Sequence, residues 1–358
     1  MRRKLVFAIA AIVMAFGATV LALLGADVLL HRRAERSAGL NIWGYRGPTV
    51  PRRHAGQPRV AVLGGSTAFG YGVTWDEAFP AALERSLKAS SPGPQWSVVN
   101  LGYNNEGAYA FRFTLEDFAY LEPDVVILYE GYNDMVGDDG RNTSLFRHGS
   151  PVFVLTGYMP ILPLVFHEKA MALTHGGSIN AGYAETQGAG TKVVFRPNLR
   201  EQAAASTLEA AAMIEESIEK QLSRVSNTSA PATAGPGKDA CGHPWRHYCA
   251  SVAAAVDYAL SKRAKVIVAG QPRLAEEKSR VRQEDQLRAV RDMLGRRFGG
   301  NQDVRFVDLA HVVDLGDRSS APDGMHLDAD SNRRVGESLA PAVLDILHLA
   351  RTETNSSR

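Results

Sequence analysis

Cysteine is scarce in this chain: Cys241 and Cys249 are the only two among 358 residues. An excess of charge of one sign is lacking as well. Lys and Arg number 40 against 38 Asp and Glu, a formal net charge of +2, and so even a balance leaves no basic footprint for nucleic acid. A phosphate loop is missing, because the glycines at 64, 65 and 70 are not followed by Lys and then Ser or Thr. The dinucleotide fingerprint is missing too, since Ala68 stands where its third glycine belongs. There are no internal repeats. A second long hydrophobic run is absent: Val152 to Leu173 is apolar, but Pro160 and Pro163 interrupt any spanning helix there.

What the chain does have begins at its N-terminus. An apolar run extends from Leu5 to Leu30, broken only by Asp27. About 20 apolar residues span a bilayer core as a helix, so the run is long enough. Leu24-Gly25-Ala26 lacks a small residue at the first position of a cleavage signal, and the segment reads as an uncleaved anchor. Arg2, Arg3 and Lys4 before it are balanced by Arg32, Arg33 and Arg36 after it, so flanking charge does not set the orientation. The cysteines do. In "CGHPWRHYC" Cys241 and Cys249 read as a local disulfide, which places the body of the protein in an oxidising compartment, periplasmic or extracellular. A zinc site with His243 and His247 is the alternative. Pro244 works against the helix that would put both histidines on one face, and the cysteine spacing fits no common zinc pattern.

Residues 1–33 are thus expected as a membrane anchor, 34–57 as an Arg-, Gly- and Pro-rich tether, 58–350 as the main domain and 351–358 as a disordered tail. Within the domain, "PRVAVLGG", "WSVVNLG", "PDVVILYEG", "RAKVIVAGQP" and "DVRFVDLA" read as strands separated by helical stretches. Strands rich in Val and Ile, apolar on both faces, predict an α/β fold with a five-stranded parallel sheet covered on both sides. The last helix, "DADSNRRVGESLAPAVLDILHLAR", contains Pro341 as an expected kink. An insertion of about 137–247 follows the third strand. It holds a proline-bearing apolar stretch, a Gly-rich segment and a long helical pattern, and reads either as a satellite core or as an apolar flap beside the site. Glycosylation sequons stand at Asn142 and Asn227.

Ligands bind beyond the carboxyl ends of strands in an open parallel sheet, so residues at those ends are the ones to weigh. Ser66 follows the first strand, Gly102 the second, Asn133 and Asp134 the third, and Asp323 and His326 the fifth. Acyl transfer is the chemistry such a set runs. A serine hydroxyl is a weak nucleophile and needs an imidazole base. A carboxylate must hold that imidazole in the right tautomer, and an Asp-x-x-His turn supplies both. The oxyanion then needs preorganised donors, for which the Ser66 and Gly102 amides and the Asn133 side chain are candidates. His311 with Asp314, His54 and His148 are rival histidines, but none sits at a matching strand end. Asp134 reads as a local turn acceptor.

Four short blocks, "GGST", Gly102, "GYND" and "DGMH", occur in this order, and in this the chain resembles the SGNH hydrolases, also called GDSL esterases or lipases. The resemblance covers about Pro58 to the C-terminal helix, without the insertion. It implies a flavodoxin-like three-layer α/β/α sandwich, with Ser66 as nucleophile, His326 as base and Asp323 orienting it. It also implies an oxyanion hole of the Ser66 N–H, the Gly102 N–H and Asn133. Gly65 departs from the family, which has Asp before the serine. The expected protein is a membrane-anchored extracytoplasmic esterase that needs no cofactor or metal and acts on an acyl ester of a glycan, a lipid or a small alcohol. An acyltransferase or deacetylase of surface glycans and a non-catalytic glycan-binding assembly protein are the alternatives.

Overall fold

Five short Val- and Ile-rich runs form one parallel sheet, in the order β2-β1-β3-β4-β5. They are β1 (Arg59–Gly64), β2 (Ser97–Asn100), β3 (Val125–Tyr129), β4 (Lys265–Gly270) and β5 (Val304–Asp308). The structure is a computed structural model that describes residues 2–37, 39–54, 56–91, 93–129, 131–135, 142–148, 150–162, 173 and 241–348. The Gly-rich segment and long helical pattern of the insertion, the sequon at Asn227 and the tail lie outside these residues. β1 and β3 are buried at every position, as a sheet covered on both faces requires. Their register pairs Val62 with Ile127, and Val62 also aligns with Asn100 of β2.

Around the sheet run α2 (Ser66–Phe69), α3 (Phe79–Ser90), α4 (Tyr109–Asp117), α6 (Arg246–Ser261), α7 (Glu277–Phe298) and α8 (Ala329–Ile346). Alternation along the strands divides the core. Val60, Val62 and Ile127 pack with Phe79 and Leu83 of α3 and with Val335, Leu339 and Val343 of α8. Ala61 and Val126 face the other layer, with Leu115 of α4 and Ala259 of α6. The α3–α8 contact depends on Gly336, where a Cβ would stand 2.6 Å from Leu83 N and 2.7 Å from Phe79 O. α8 runs on through Pro341.

The strand order reverses between β1 and β3, and this opens a crevice beyond their carboxyl ends. The expected α/β fold with its five parallel strands is therefore present. Part of the stretch expected as a tether is packed: Leu40, Asn41, Tyr45 and Arg46 are buried, Leu40 bridges Arg46, and Arg46 bridges Asn100 of β2. Its glycines at 39, 44 and 47 have positive φ, as tight turns require.

The chain divides into two compact units. The sheet unit comprises Ser37–Gly149 and Ser229–Arg358; the other comprises Met1–Arg36 and Ser150–Thr228. In the second unit, α1 (Arg2–Ser37) contains one stretch long and apolar enough to cross a membrane, Arg3–Arg33, with no residue of its most apolar window buried. α5 (Pro151–Thr156) begins at Ser150, whose Oγ accepts the Phe153 N–H, and ends at Gly157 with φ 71°. Phe153, Ile161 and Leu162 are buried, while Leu155 is exposed.

Candidate active site

β1 ends at Gly64 and the chain turns through Gly65 into α2, so Ser66 opens the helix just past the sheet edge. The close approach is what requires glycine at 64: a Cβ there would lie 2.1 Å from Tyr129 O. Ser66 opens its helix, where the first backbone N–H groups have no intrahelical partner. The far end of α2 is held by Arg46, whose guanidinium donates to Phe69 O, to Gly70 O at 2.6 Å and to Val73 O at 2.5 Å, and stacks over the Phe69 ring. Burial lowers its pKa to about 10, which leaves it charged at neutral pH. Arg46 was invisible in a sequence segment that reads as a linker.

The fold brings Ser66 and His326 together across 260 residues. Ser66 Oγ lies 2.8 Å from His326 Nε2, and His326 Nδ1 lies 2.6 Å from Asp323 Oδ2. The other carboxylate oxygen accepts the N–H groups of Met325 at 2.9 Å and His326 at 2.7 Å. The two oxygens thus divide the work, since one shapes the turn and the other orients the ring. Desolvation opposes the charge of Asp323, but the His326 ring, the two backbone N–H groups and the nearby imidazole outweigh it and hold the carboxyl well below its ordinary range. An ionised carboxylate at Nδ1 puts the imidazole proton there and leaves the Nε2 lone pair for the serine hydroxyl. The Tyr71 ring packs 4.8 Å from the imidazole.

Asn133 stands in the 3-10 turn Tyr132–Asp134, which follows β3. Its Nδ2 donates to Glu106 O at 2.9 Å, which fixes the plane of the amide. Glu106 is in turn gripped by Arg147, whose NH2 lies 3.1 Å from its Oε2 in a buried pair. Asp134 accepts the Ala108 N–H at 2.9 Å, so it ties the turn after β3 to the loop after β2.

The Gly102 N–H, which the resemblance places in the oxyanion hole, donates to Asn100 Oδ1 at 3.0 Å in this structure. The glycine is needed for packing, since a Cβ would sit 2.6 Å from Phe69 N and 2.9 Å from Ala68 C. The same loop turns again at Asn105, whose φ is 62°, a left-handed position that Asn tolerates better than most residues.

Gln271, directly after β4, was not singled out from the sequence. Its Nε2 donates to Thr67 Oγ1 at 2.7 Å and its Oε1 accepts the Tyr132 N–H at 2.9 Å. One buried side chain thereby spaces the neighbour of Ser66 from the neighbour of Asn133. Its place at a strand's carboxyl end was the available signal. Among the rival histidines, His148 pairs with Asp117 at 3.0 Å against the Phe113 ring, and that pair raises its pKa. A cavity of about 540 Å³ lined by Asp124, Ala264 and Lys262 lies at the opposite, amino-terminal ends of β3 and β4.

No protein-family model matches the sequence, and no curated protein matches it. Solved structures are similar at low identity. One is a G-D-S-L family lipolytic protein from Desulfitobacterium hafniense, 12% identical, covering 80% of this chain and 99% of that one with a TM-score of 0.39. Another is a carbohydrate acetylesterase from Sinorhizobium meliloti, 12% identical, covering 81% and 100% at 0.38. A catalytic mutant of an acetylxylan esterase from Geobacillus stearothermophilus is 11% identical, covering 85% and 100% at 0.41. Likeness this loose adds nothing to the geometry of the chain itself. By its sheet order and by the order of the blocks along that sheet, this chain resembles the SGNH hydrolases.

Proposed function

We propose that this protein is a serine ester hydrolase working through an acyl-enzyme. The observation that carries the reading is the continuous chain from Ser66 Oγ through His326 to Asp323. In the first half-reaction Ser66 Oγ attacks the ester carbonyl while His326 Nε2 takes the hydroxyl proton. The tetrahedral oxyanion is met by the Ser66 N–H and by Asn133 Nδ2, whose amide plane Glu106 O already sets. Collapse returns the proton from His326 to the leaving alcohol and leaves the acyl group on Ser66. Water, deprotonated by the same nitrogen, then releases the acid. Asp323 stays ionised throughout and stabilises the imidazolium. No metal or cofactor enters these steps.

The test is a pre-steady-state measurement with nitrophenyl esters of acetyl and longer acyl groups. A burst of nitrophenol approaching one equivalent per Ser66, followed by a slower linear phase, is expected wherever deacylation limits turnover. Adding sugar alcohols at fixed water separates hydrolysis from transfer, since a hydrolase continues to release free acid. Absence of turnover across the whole acyl series would remove the reading.

The catalytic unit is assigned to the outside of the cytoplasm, with α1 as its membrane anchor. What supports this is the bonded pair Cys241–Cys249, with Cα atoms 6.0 Å apart, because such bonds persist in oxidising compartments. Digestion without reduction of protein taken from its native membrane should yield the peptide linked through Cys241 and Cys249. Two free thiols would contradict the assignment.

A further inference from the structure

Asp27 and His31 are the two buried side chains among the described ones of α1. Asp27 is 4% exposed and His31 1%, while Leu21 and Leu29 on the same helix are 70% and 63% exposed. Residues 158–162 cover them. Asp27 Oδ1 accepts the N–H groups of Ile161 at 2.9 Å and Leu162 at 2.6 Å, and Oδ2 accepts the Tyr158 hydroxyl. His31 Nε2 lies 2.5 Å from Met159 O, a contact that requires the proton on Nε2, and the His31 ring meets the Tyr158 ring edge-on at 5.5 Å.

The position of this cluster along α1 is informative. Asp27 follows Leu5 by 22 residues, about 33 Å at 1.5 Å per residue, and a bilayer core is about 30 Å thick. The cluster therefore falls at the far edge of the hydrocarbon, where a carboxylate is costly without donors. Irregular backbone at that depth carries the reciprocal cost, since its N–H groups find no water. Pro160 and Pro163 keep the segment from satisfying itself as a helix. Asp27 and residues 158–162 thus solve each other's problem. Immediately before them, α5 exposes Leu155 at 70% and Val154 at 37%.

From this we infer that residues 151–162 form a second membrane contact, lying in the lipid interface beside the exit of α1. Asp27 and His31 fasten it, and Leu155 and Val154 enter the acyl-chain boundary. The occupant of this surface is the bilayer itself. The inference rests on the reading of α1 as a membrane span, and its test separates the two.

In the full chain the native cysteines are bonded, so a single introduced thiol is the only one labelled. Leu155→Cys and, at mid-span, Val13→Cys would each carry bimane in phosphatidylcholine vesicles with bromines placed shallow or deep in the acyl chains. Quenching at 155 is expected to be stronger from shallow than from deep bromines, with the reverse order at 13. Asp27→Ala should cut quenching at 155 severalfold and leave that at 13 unchanged, while Asp27→Asn, which keeps the acceptor for both N–H groups, should restore most of it. Retained turnover of a soluble ester shows that the variants fold. Quenching at 13 with none at 155, or quenching at 155 that ignores Asp27→Ala, overturns the second contact alone. No quenching at 13 overturns the span and the inference with it.

Discussion

Ser66→Ala is expected to abolish ester turnover, by at least about 10⁴-fold in kcat, because the acyl-enzyme cannot form without Oγ. The loss should come without unfolding. Ser66 is half-buried at the start of a four-residue helix, and the groups that hold that helix belong to other residues: Arg46 on its last carbonyls and Asn100 Nδ2 on Ala68 O at 3.0 Å. Melting temperature close to the parent, together with background turnover, is the predicted pair of results. A purified variant with parental turnover would show that Ser66 is not the nucleophile.

Asp323→Asn should be nearly as damaging, for a reason of tautomer rather than of shape. The wild-type carboxylate uses one oxygen for two backbone N–H groups and the other for His326 Nδ1. An amide has one oxygen, and if that stays with the backbone, its NH₂ faces Nδ1. The imidazole must then carry its proton on Nε2, pointing it at Ser66 Oγ, and the base is lost. A fall in kcat of about 10³- to 10⁴-fold is expected, with KM for a small ester changed little. The carboxyl is held below its ordinary range, so its hydrogen bonds add stability above the unfolded carboxylate pKa. That stability disappears only as pH falls through the lowered folded value. Loss of that stability is therefore expected only well below the ordinary carboxylate range. Equal kcat in Asp323→Asn and wild type would mean that the pair serves the turn and not the chemistry.

How far the sequence revealed this site depends on which residue is asked. The strands were legible because buried parallel strands must be apolar on both faces, and the runs around Val60, Val125 and Val266 are. Ser66 and His326 were legible because each follows a strand or turn, and the fold brings their side chains within 2.8 Å. Asp323 and His326 were easier still, since three residues of turn suffice to place them. The supporting groups were not legible. Arg46 sits among Gly and Pro, and nothing local shows that its guanidinium gathers the carbonyls of α2. Gln271 belongs to no motif, and its value comes from bridging two strand ends that meet only after folding. The packing role of Gly102 was not legible either, since its missing side chain admits Phe69 and Ala68 only after folding. Asp27 looked like a flaw in an apolar run until its donors, more than 130 residues away, were in place.

The central claim is that Ser66, activated by His326, forms the covalent bond to the acyl group. Its most direct test is reaction of the full chain with a fluorophosphonate, followed by intact mass and peptide mapping. One adduct per chain is predicted, located on Ser66, absent in Ser66→Ala and formed far more slowly in Asp323→Asn. No adduct on native protein, or an adduct mapped to any other residue, would contradict it.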